Sequence, residues 1–291
     1  MMILPYLLLA LTAAQATPTE GTAPAEGLTV FLHDNGMKAR EGRLVDGRRQ
    51  GLWKGWHKNG TQAYEGAFDG YQRVGRWTYW SEGGKKTEEG EWKDGRRSGE
   101  WTFYHPNGAV RQRGLMDKGL RTGKWEMFWP SGEPSSVGEY CFDTQCGVWT
   151  NYEKGKVLAQ GPMERDLQNG LWVRFHPDGA KQFEGRFVYG KEDGEWMRWH
   201  ANARAQAKGV YTFGKMTGEW VGWYDNGQRE YFGAFERGEE TGSWTYWWPT
   251  GQKKSEGLFV AGKRSGPWRA WNQDGTLNTE LSGEYREGRK L

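Results

Sequence analysis

The 291-residue chain is short of the residues that build metal centres and apolar cores. It has two cysteines and five histidines, only 36% of it is hydrophobic, and its mean hydropathy is -0.92, so a thick aliphatic core is excluded. After the first 16 residues no stretch approaches the roughly 20 apolar residues that a membrane-spanning helix needs. The 40 basic and 37 acidic residues nearly balance, which gives no indication of a nucleic-acid partner.

Tryptophan and glycine are abundant instead, and they recur with a fixed period. Ten of the 19 tryptophans stand two residues after a glycine and recur at a regular interval. This interval is 24 residues in every case except one, where it is 23. They are Trp53, Trp77, Trp101, Trp125, Trp149, Trp172, Trp196, Trp220, Trp244 and Trp268. A period of this length indicates a repeat protein rather than a catalytic domain.

Each repeat is predicted to be one β-hairpin. An Asn-Gly pair such as Asn59-Gly60, or its equivalent, separates two aromatic-rich runs, which predicts a two-residue type I′ turn with positive φ at both positions. Counting outward from this turn, each tryptophan faces a glycine that its ring is expected to cover, which compensates for glycine's poor strand propensity. The predicted pairs include Trp53 with Gly66, Trp77 with Gly90, and Trp101 with Gly114.

The predicted fold is all-β. About eleven 24-residue units would form an elongated, open and twisted sheet of antiparallel hairpins. The first unit is degenerate, because Thr29 replaces its tryptophan, and we expect it to be a cap.

A second aromatic column lies three residues after each tryptophan. An odd offset in a regular strand points to the opposite face, unless a bulge brings the two columns together. Exposed indoles can stack on sugar rings, so the candidate glycan-binding residues are Trp199, Trp223, Trp247 and Trp271.

A column of basic residues occupies the turns between repeats. Side by side, these residues would form an edge that could meet anionic lipid headgroups, acidic polysaccharide or an acidic partner. Arginine also solvates turns and protects sheet edges, and that alternative stays open. The candidates are Arg49, Arg73, Arg97 and Arg121.

Cys141 and Cys146 bracket an inter-repeat turn that has lost its glycine. In an oxidising compartment a disulfide between them would constrain this turn, and two free thiols are the alternative. No histidine stands beside either cysteine, so a nucleophilic dyad lacks its base.

The histidines also hold one repeat position, and neighbouring ones are expected about 10 Å apart, too far to share a zinc ion at about 2.0 Å. They are His33, His57, His105, His176 and His200. The sequence contains no phosphate-binding loop, nucleophile elbow or calcium loop. We therefore predict that the protein is not an enzyme and uses no cofactor or metal.

Residues 1–16 are predicted to be a signal peptide, because a mostly apolar run ends at Ala14-Gln15-Ala16, a pattern that signal peptidase accepts. A disordered or buried N-terminus is the alternative, since no lysine or arginine precedes the run. Residues 17–27 are interpreted as a flexible linker and 28–291 as the repeat domain. The expected location is outside the cytoplasm of a bacterium, in the periplasm or the extracellular space.

The Gly-x-Trp start, the Asn-Gly turn, the Glu-Gly-x-aromatic second strand and the 24-residue period resemble the MORN-repeat variant over residues 28–291. More narrowly, they resemble the bacterial YwqK-type proteins described as toxin-antitoxin antitoxins. The resemblance implies a non-enzymatic array of β-hairpins that acts in protein-protein or membrane-surface contacts.

Three functions follow as hypotheses. The first is an exported, non-catalytic scaffold that binds a still unidentified protein of the cell envelope, as an antitoxin or immunity factor. The second is binding of cell-wall glycan through the second aromatic column. The third is binding of anionic lipid through the arginine column, with strong salt dependence.

Overall fold

The computed structural model describes residues 27–291, which form one open all-β sheet and no helix. The predicted signal peptide, 1–16, and all but the last residue of the predicted linker, 17–27, lie outside the described residues. The predicted all-β array of antiparallel hairpins is confirmed.

The sheet contains 24 strands. They are β1 (Leu28–Leu32), β2 (Lys38–Val45), β3 (Arg48–Trp56), β4 (Gln62–Gly70), β5 (Gln72–Trp80), β6 (Lys86–Lys93), β7 (Arg96–Tyr104), β8 (Val110–Asp117), β9 (Leu120–Phe128), β10 (Pro134–Cys141), β11 (Thr144–Glu153), β12 (Lys156–Glu164), β13 (Leu167–Gln168), β14 (Gly170–Phe175), β15 (Lys181–Val188), β16 (Lys191–Trp199), β17 (Ala205–Thr212), β18 (Lys215–Trp223), β19 (Arg229–Glu236), β20 (Glu239–Trp247), β21 (Lys253–Val260), β22 (Lys263–Ala270), β23 (Gly283–Arg286) and β24 (Arg289–Lys290).

Between the terminal strands β1 and β24, each strand pairs antiparallel with the strand before it and the strand after it, with β13 and β14 as two parts of one strand position against β12. The degenerate first unit keeps the register of the others, because Thr29 pairs with Gly42. In the last unit Trp268 pairs with Gly283, a shift of two residues that accompanies an irregular segment before β23.

The predicted Cα pairs are observed, but the rings lie in the other direction. Trp53 pairs with Gly66 across β3 and β4, yet its ring packs on Gly42 of the preceding strand, while Trp77 covers Gly66. A Cβ built on Gly66 would lie 2.1 Å from the Trp77 ring. The expectation that each ring covers the glycine of the following strand is therefore wrong.

The glycine of each Gly-x-Trp motif explains this direction. In β7, Gly99 has a φ of 68° and lies in a register shift against β6, where Gly90 pairs with Trp101 and the next pair is Glu91 with Ser98. Such a bulge turns the following side chain back over the preceding strand. The indole N–H of Trp101 then donates to the Glu91 carbonyl, at 2.9 Å.

The Asn-Gly turns are not type I′, which corrects the sequence prediction. In the first full repeat Gly60 has a φ of 86° and Asn59 does not have a positive φ. The Gly60 N–H donates to the His57 carbonyl, and the His57 N–H to the Thr61 carbonyl. This is a three-residue loop, a type I turn followed by a left-handed glycine. The Asn59 side chain stabilises it by accepting a hydrogen bond from the Thr61 N–H, at 3.0 Å.

Type I′ turns occur between repeats instead. Asp94 and Gly95 have φ values of 50° and 72°, and the residues on either side of them, Lys93 and Arg96, form a strand pair. The two kinds of turn lie along opposite edges of the sheet, because the strands between them are antiparallel. We call them the Asn-Gly edge and the inter-repeat edge.

The core is a single row of rings on one face, which we call the tryptophan face. All ten repeat tryptophans are buried there. In most repeats a second ring stands edge-on between successive tryptophans: Phe235 lies 6.2 Å from Trp220 and 5.0 Å from Trp244, with interplanar angles of 84° and 88°. Edge-to-face contacts of this kind are favourable for aromatic pairs and join neighbouring repeats. Met116 and Met163 take this position in two repeats.

Candidate functional site

The arginine column lies over the core. Arg97 stands 4.4 Å from the Trp101 ring centroid and donates two hydrogen bonds to the Glu88 carboxylate, at 2.7 and 2.9 Å. Arg49 and Arg73 also cover ring pairs. All are half-buried, so their charges meet ring faces of the core more than solvent.

Arg121 makes the most specific contacts of the column. Its guanidinium stands 3.8 Å from the Tyr140 ring centroid, and its Nε donates to Asp143 Oδ1 at 2.9 Å. Burial opposes ionisation of Asp143, but the hydrogen bonds and charge of Arg121 outweigh it and lower the pKa of this carboxyl. The arginine therefore ties one inter-repeat turn to the next.

The second aromatic column lies on the opposite face and is half-buried in every repeat. Basic side chains of the preceding repeat cover two of the candidate glycan-binding rings: Lys181 stands 5.6 Å from Trp199, and Arg229 stands 5.9 Å from Trp247. Trp223 and Trp271 are also half-buried. A sugar would have to displace these cations to stack on Trp199 or Trp247.

A polar row accompanies the second aromatic column. Lys181 pairs with Glu184 at 2.6 Å, and Lys253 pairs with Glu256 at 2.7 Å, three residues apart within one strand. Glu89 accepts a hydrogen bond from the Tyr104 hydroxyl and pairs with Lys86. Burial and the hydrogen bond to Glu89 raise the pKa of Tyr104 to about 12. The glutamates at this position bind side chains of their own face.

The histidines link the repeats along the Asn-Gly edge. Nε2 of His57 hydrogen-bonds the Trp80 carbonyl of the next repeat at 2.8 Å, and the other four histidines make the same contact 23 residues ahead. At two of the positions that are not histidine, the Tyr224 hydroxyl and the Trp248 indole N–H donate to the equivalent carbonyls. The shared role is donation of one hydrogen bond, which tyrosine and tryptophan fulfil as well. Within residues 27–291 no cluster of three potential ligands could hold a metal ion.

Cys141 and Cys146 form a disulfide that closes the turn between β10 and β11. Both residues of this turn, Phe142 and Asp143, have positive φ, at 52° and 69°. Neither is glycine, so the cross-link fixes a turn whose backbone is unfavourable for its residues.

An apolar stripe on the inter-repeat edge is the feature that the sequence interpretation missed. Exposed large apolar side chains stand in three of four consecutive inter-repeat turns and, beside the fourth turn, Arg165-Asp166, on the first residue of β13; successive turns are about 10 Å apart by the strand spacing. These side chains are Phe142 (69% exposed), Leu167 (44%), Tyr189 (64%) and Phe213 (63%), which we call the apolar turn stripe. The signal was available, since aromatic residues stand at turn positions that are Asp46 and Asp94 in other repeats.

Two segments match a known family. The family model described as "MORN repeat variant" matches residues 97–118 and 240–261, and the fifth residue of each match is a repeat tryptophan, Trp101 or Trp244. The MORN repeat family is generally non-enzymatic, and these matches together with the fold indicate a protein-interaction scaffold. The narrower YwqK-type antitoxin assignment has no match of its own.

Comparison with curated proteins gives no match. Among solved structures, the chain is similar to "Crystal Structure of TcdB2-TccC3-Cdc42", at 10% identity and a TM-score of 0.19, with 89% of this chain and 17% of that chain covered. The related "Crystal Structure of TcdB2-TccC3-TEV" gives 11% identity, a TM-score of 0.19, and coverage of 89% and 15%. The chain spans less than a fifth of these proteins, and at such TM-scores the likeness carries no structural argument.

Residues 27–291 contain no helix that is long and apolar enough to cross a membrane.

Proposed function

We propose that this protein is a non-catalytic scaffold that binds another protein through the apolar turn stripe. The observation that carries the proposal is the exposure of Phe142, Tyr189 and Phe213 at the tips of three of four consecutive turns, with Leu167 exposed beside the remaining turn. A contiguous apolar patch on a protein surface is typical of interaction sites, and exposed aromatic side chains are frequent anchors in them.

The backbone at these tips supports the same function. Phe142, Tyr189 and Phe213 have φ values of 52°, 48° and 48°, a left-handed conformation that costs a bulky L-residue about 1 kcal/mol or more. Asparagine, aspartate or glycine would fill this turn position at lower cost. Three rings therefore stand where they weaken the fold and contact solvent, which is accounted for if a partner buries them.

The proposed place of action is outside the cytoplasm, at the cell envelope of a bacterium. The Cys141–Cys146 disulfide supports this location, since disulfides persist in oxidising compartments. In its narrower form the proposal makes the partner a toxin and this chain its immunity factor. Co-expression with toxins encoded beside it tests that form: rescue of growth supports it, and no rescue by any of them rejects it.

The test of the binding surface is a triple variant, Phe142→Asn, Tyr189→Asn and Phe213→Asn. Asparagine suits the left-handed turn position, so the fold should be retained while the rings are lost. Cross-linking in envelope fractions followed by mass spectrometry should recover one partner with the unaltered chain and lose it with the triple variant.

The matched control places the same change on exposed apolar residues of the face opposite the tryptophan face: Leu52→Asn, Val148→Asn and Leu171→Asn. This control should keep the partner. Recovery of the same partner by the turn variant, or loss of it by the control, would contradict the assignment of the binding surface.

A further inference from the structure

A cleft opens in the tryptophan face at the one place where the repeat interval is 23 residues. It has a volume of about 370 Å³, and Trp149, Ala159, Trp172 and Phe183 are among its lining residues. This volume is within the range of small-molecule sites.

A small side chain lies at the centre of the cleft. The residue two positions before the glycine that the tryptophan covers is a ring in three repeats, at Tyr64, Phe183 and Tyr231, and here it is Ala159. Ala159 pairs with Asn151 on one side and Arg174 on the other. Ala159 is therefore a small side chain between two polar ones, whereas the equivalent Ala207 pairs with Arg198 and with Gly222, which the Tyr231 ring covers.

The polar groups at the cleft are neutral amides and one cation. Gln145 and Gln168 continue the arginine column after Arg121, and with Asn151 they place three amide side chains on the lining. No aspartate or glutamate lines the cleft among the described residues. The site therefore presents hydrogen-bond donors and acceptors with a net positive charge.

Arg174 is the cation, and it lacks the partner that its counterpart has. One repeat further on, Arg198 Nη2 donates to the Tyr211 hydroxyl at 3.0 Å. The residue equivalent to Tyr211 is Phe187, which cannot accept a hydrogen bond. Within residues 27–291 the exposed Arg174 guanidinium forms no ion pair or hydrogen bond, so its donors are free to bind a ligand.

We propose that this cleft binds an acidic sugar. A carboxylate would pair with Arg174, hydroxyl groups would exchange hydrogen bonds with Gln145, Asn151 and Gln168, and the ring would pack against Phe183. A guanidinium matches a carboxylate in geometry, and amide side chains both donate and accept, as hydroxyl groups require. This site is separate from the apolar turn stripe and does not depend on the protein-binding function.

The experiment is a titration followed by the NMR signals of the side-chain amides and of the Trp149 and Trp172 indole N–H groups. The probes are glucuronic acid and glucose, which share a ring and differ at the carboxylate. Glucuronic acid should shift these signals in a saturable way, and glucose should bind about tenfold more weakly, the loss of one charged pair.

Two variants and a matched control locate the site. Ala159→Phe fills the cleft with the side chain that Phe183 supplies one repeat later, and it should abolish binding. Arg174→Gln should remove the preference for glucuronic acid over glucose. Ala207→Phe makes the same change at the equivalent position of another repeat and should bind as the unaltered chain does.

Thermal unfolding of both phenylalanine variants checks that each one is folded. Saturable binding of glucuronic acid that Ala159→Phe removes and Ala207→Phe retains supports the site. The absence of any glucuronic acid binding, equal binding of glucose, or binding that survives Ala159→Phe overturns it. None of these results bears on the partner recovered through the turn stripe.

Discussion

At the scale of single residues, a glycine and the tryptophan eleven positions after it form the contact that recurs in every full repeat. The ring lies flat on the glycine of the preceding strand, and its N–H bonds the next carbonyl there, as Trp77 does with Gly66 and with the Ala67 carbonyl at 3.1 Å. A side chain on that glycine has no space to occupy, because the ring cannot move without leaving its hydrogen bond and the core.

Replacement of Gly66 by alanine should therefore destabilise the protein by at least about 2 kcal/mol, through overpacking against the Trp77 ring. Urea unfolding followed by tryptophan fluorescence measures the change. Gly83→Ala is the control, since the nearest atom to a Cβ there is Ser81 Oγ at 3.9 Å, and it should stay within about 0.5 kcal/mol. Equal midpoints for the two variants would contradict the close contact.

A half-buried tyrosine, Tyr246, makes stability depend on pH in the alkaline range. Burial, reinforced by the charge of Glu240, raises the pKa of Tyr246 from 10.0 to about 12. The unfolded chain therefore loses this proton at lower pH than the folded chain. The stabilisation is complete below pH 10 and is lost as the pH rises from 10 towards 12.

Tyr246→Phe should consequently flatten the alkaline decline in the free energy of unfolding, measured between about pH 9 and pH 11. Tyr71→Phe removes a hydroxyl from a ring that is 81% exposed and serves as the control. A decline that is unchanged in Tyr246→Phe would show that this tyrosine does not titrate as described.

At the scale of elements, the hairpins are joined along both edges as well as through the sheet. On the Asn-Gly edge the turn amides also bond across repeats, as Asn59 Nδ2 donates to the Glu82 carbonyl at 2.9 Å. On the inter-repeat edge the backbone does the same, with the Gly119 N–H donating to the Arg97 carbonyl at 2.8 Å. Each turn is thereby held by the turns beside it.

His57→Ala removes one such link and should lower the free energy of unfolding by about 1 kcal/mol. His57→Tyr should lose much less, because Tyr224 makes the same bond to Trp247 at 2.8 Å in a later repeat. Thermal unfolding of the two variants compares them directly. If both are equally destabilised, the donated hydrogen bond is not what the histidine contributes.

The 24-residue period is sufficient to predict the strands and their pairing. It is not sufficient to predict the turn type, which depends on the number of residues in one loop. Strand existence and the pairing of Trp53 with Gly66 follow from the spacing of tryptophan, glycine and turn. The turn type does not, because a register shift between Gly55 and Trp56 lets a three-residue loop give the same pairing as a two-residue one.

The direction and the exposure of side chains also could not be predicted from the repeat pattern of the sequence. Whether Trp53 covers Gly42 or Gly66 depends on the bulge at its own glycine, which a strand count does not reveal. The cleft at Ala159 depends on which side chains pair across three neighbouring strands, and the repeat pattern alone does not give this combination.

At the scale of the whole molecule, the fold is a sum of like units in which each unit contacts its neighbours. Stability in such an array is the sum of unit terms and interface terms, so one complete unit can be removed without disturbing the rest. Deletion of residues 77–100 joins Arg76 to Trp101 and restores the Gly-x-Trp motif.

This deletion should give a folded protein with a melting temperature within about 5 °C of the parent. Deletion of 77–101 also removes Trp101. It should lower the melting temperature by about 10 °C or more, because Gly66 is then uncovered and the register is lost. Circular dichroism on heating distinguishes them. Equal loss in both would contradict the independence of the units.

The strand pairing also determines how the protein responds to tension between its two ends. Because successive strands lie side by side along the array, a pull on the termini acts across the strands and breaks the ladder bonds one after another instead of all at once. Each 24-residue unit released in this way would lengthen the chain by about 80 Å. The protein would yield gradually under load, peeling from an end while the remaining units keep their shape.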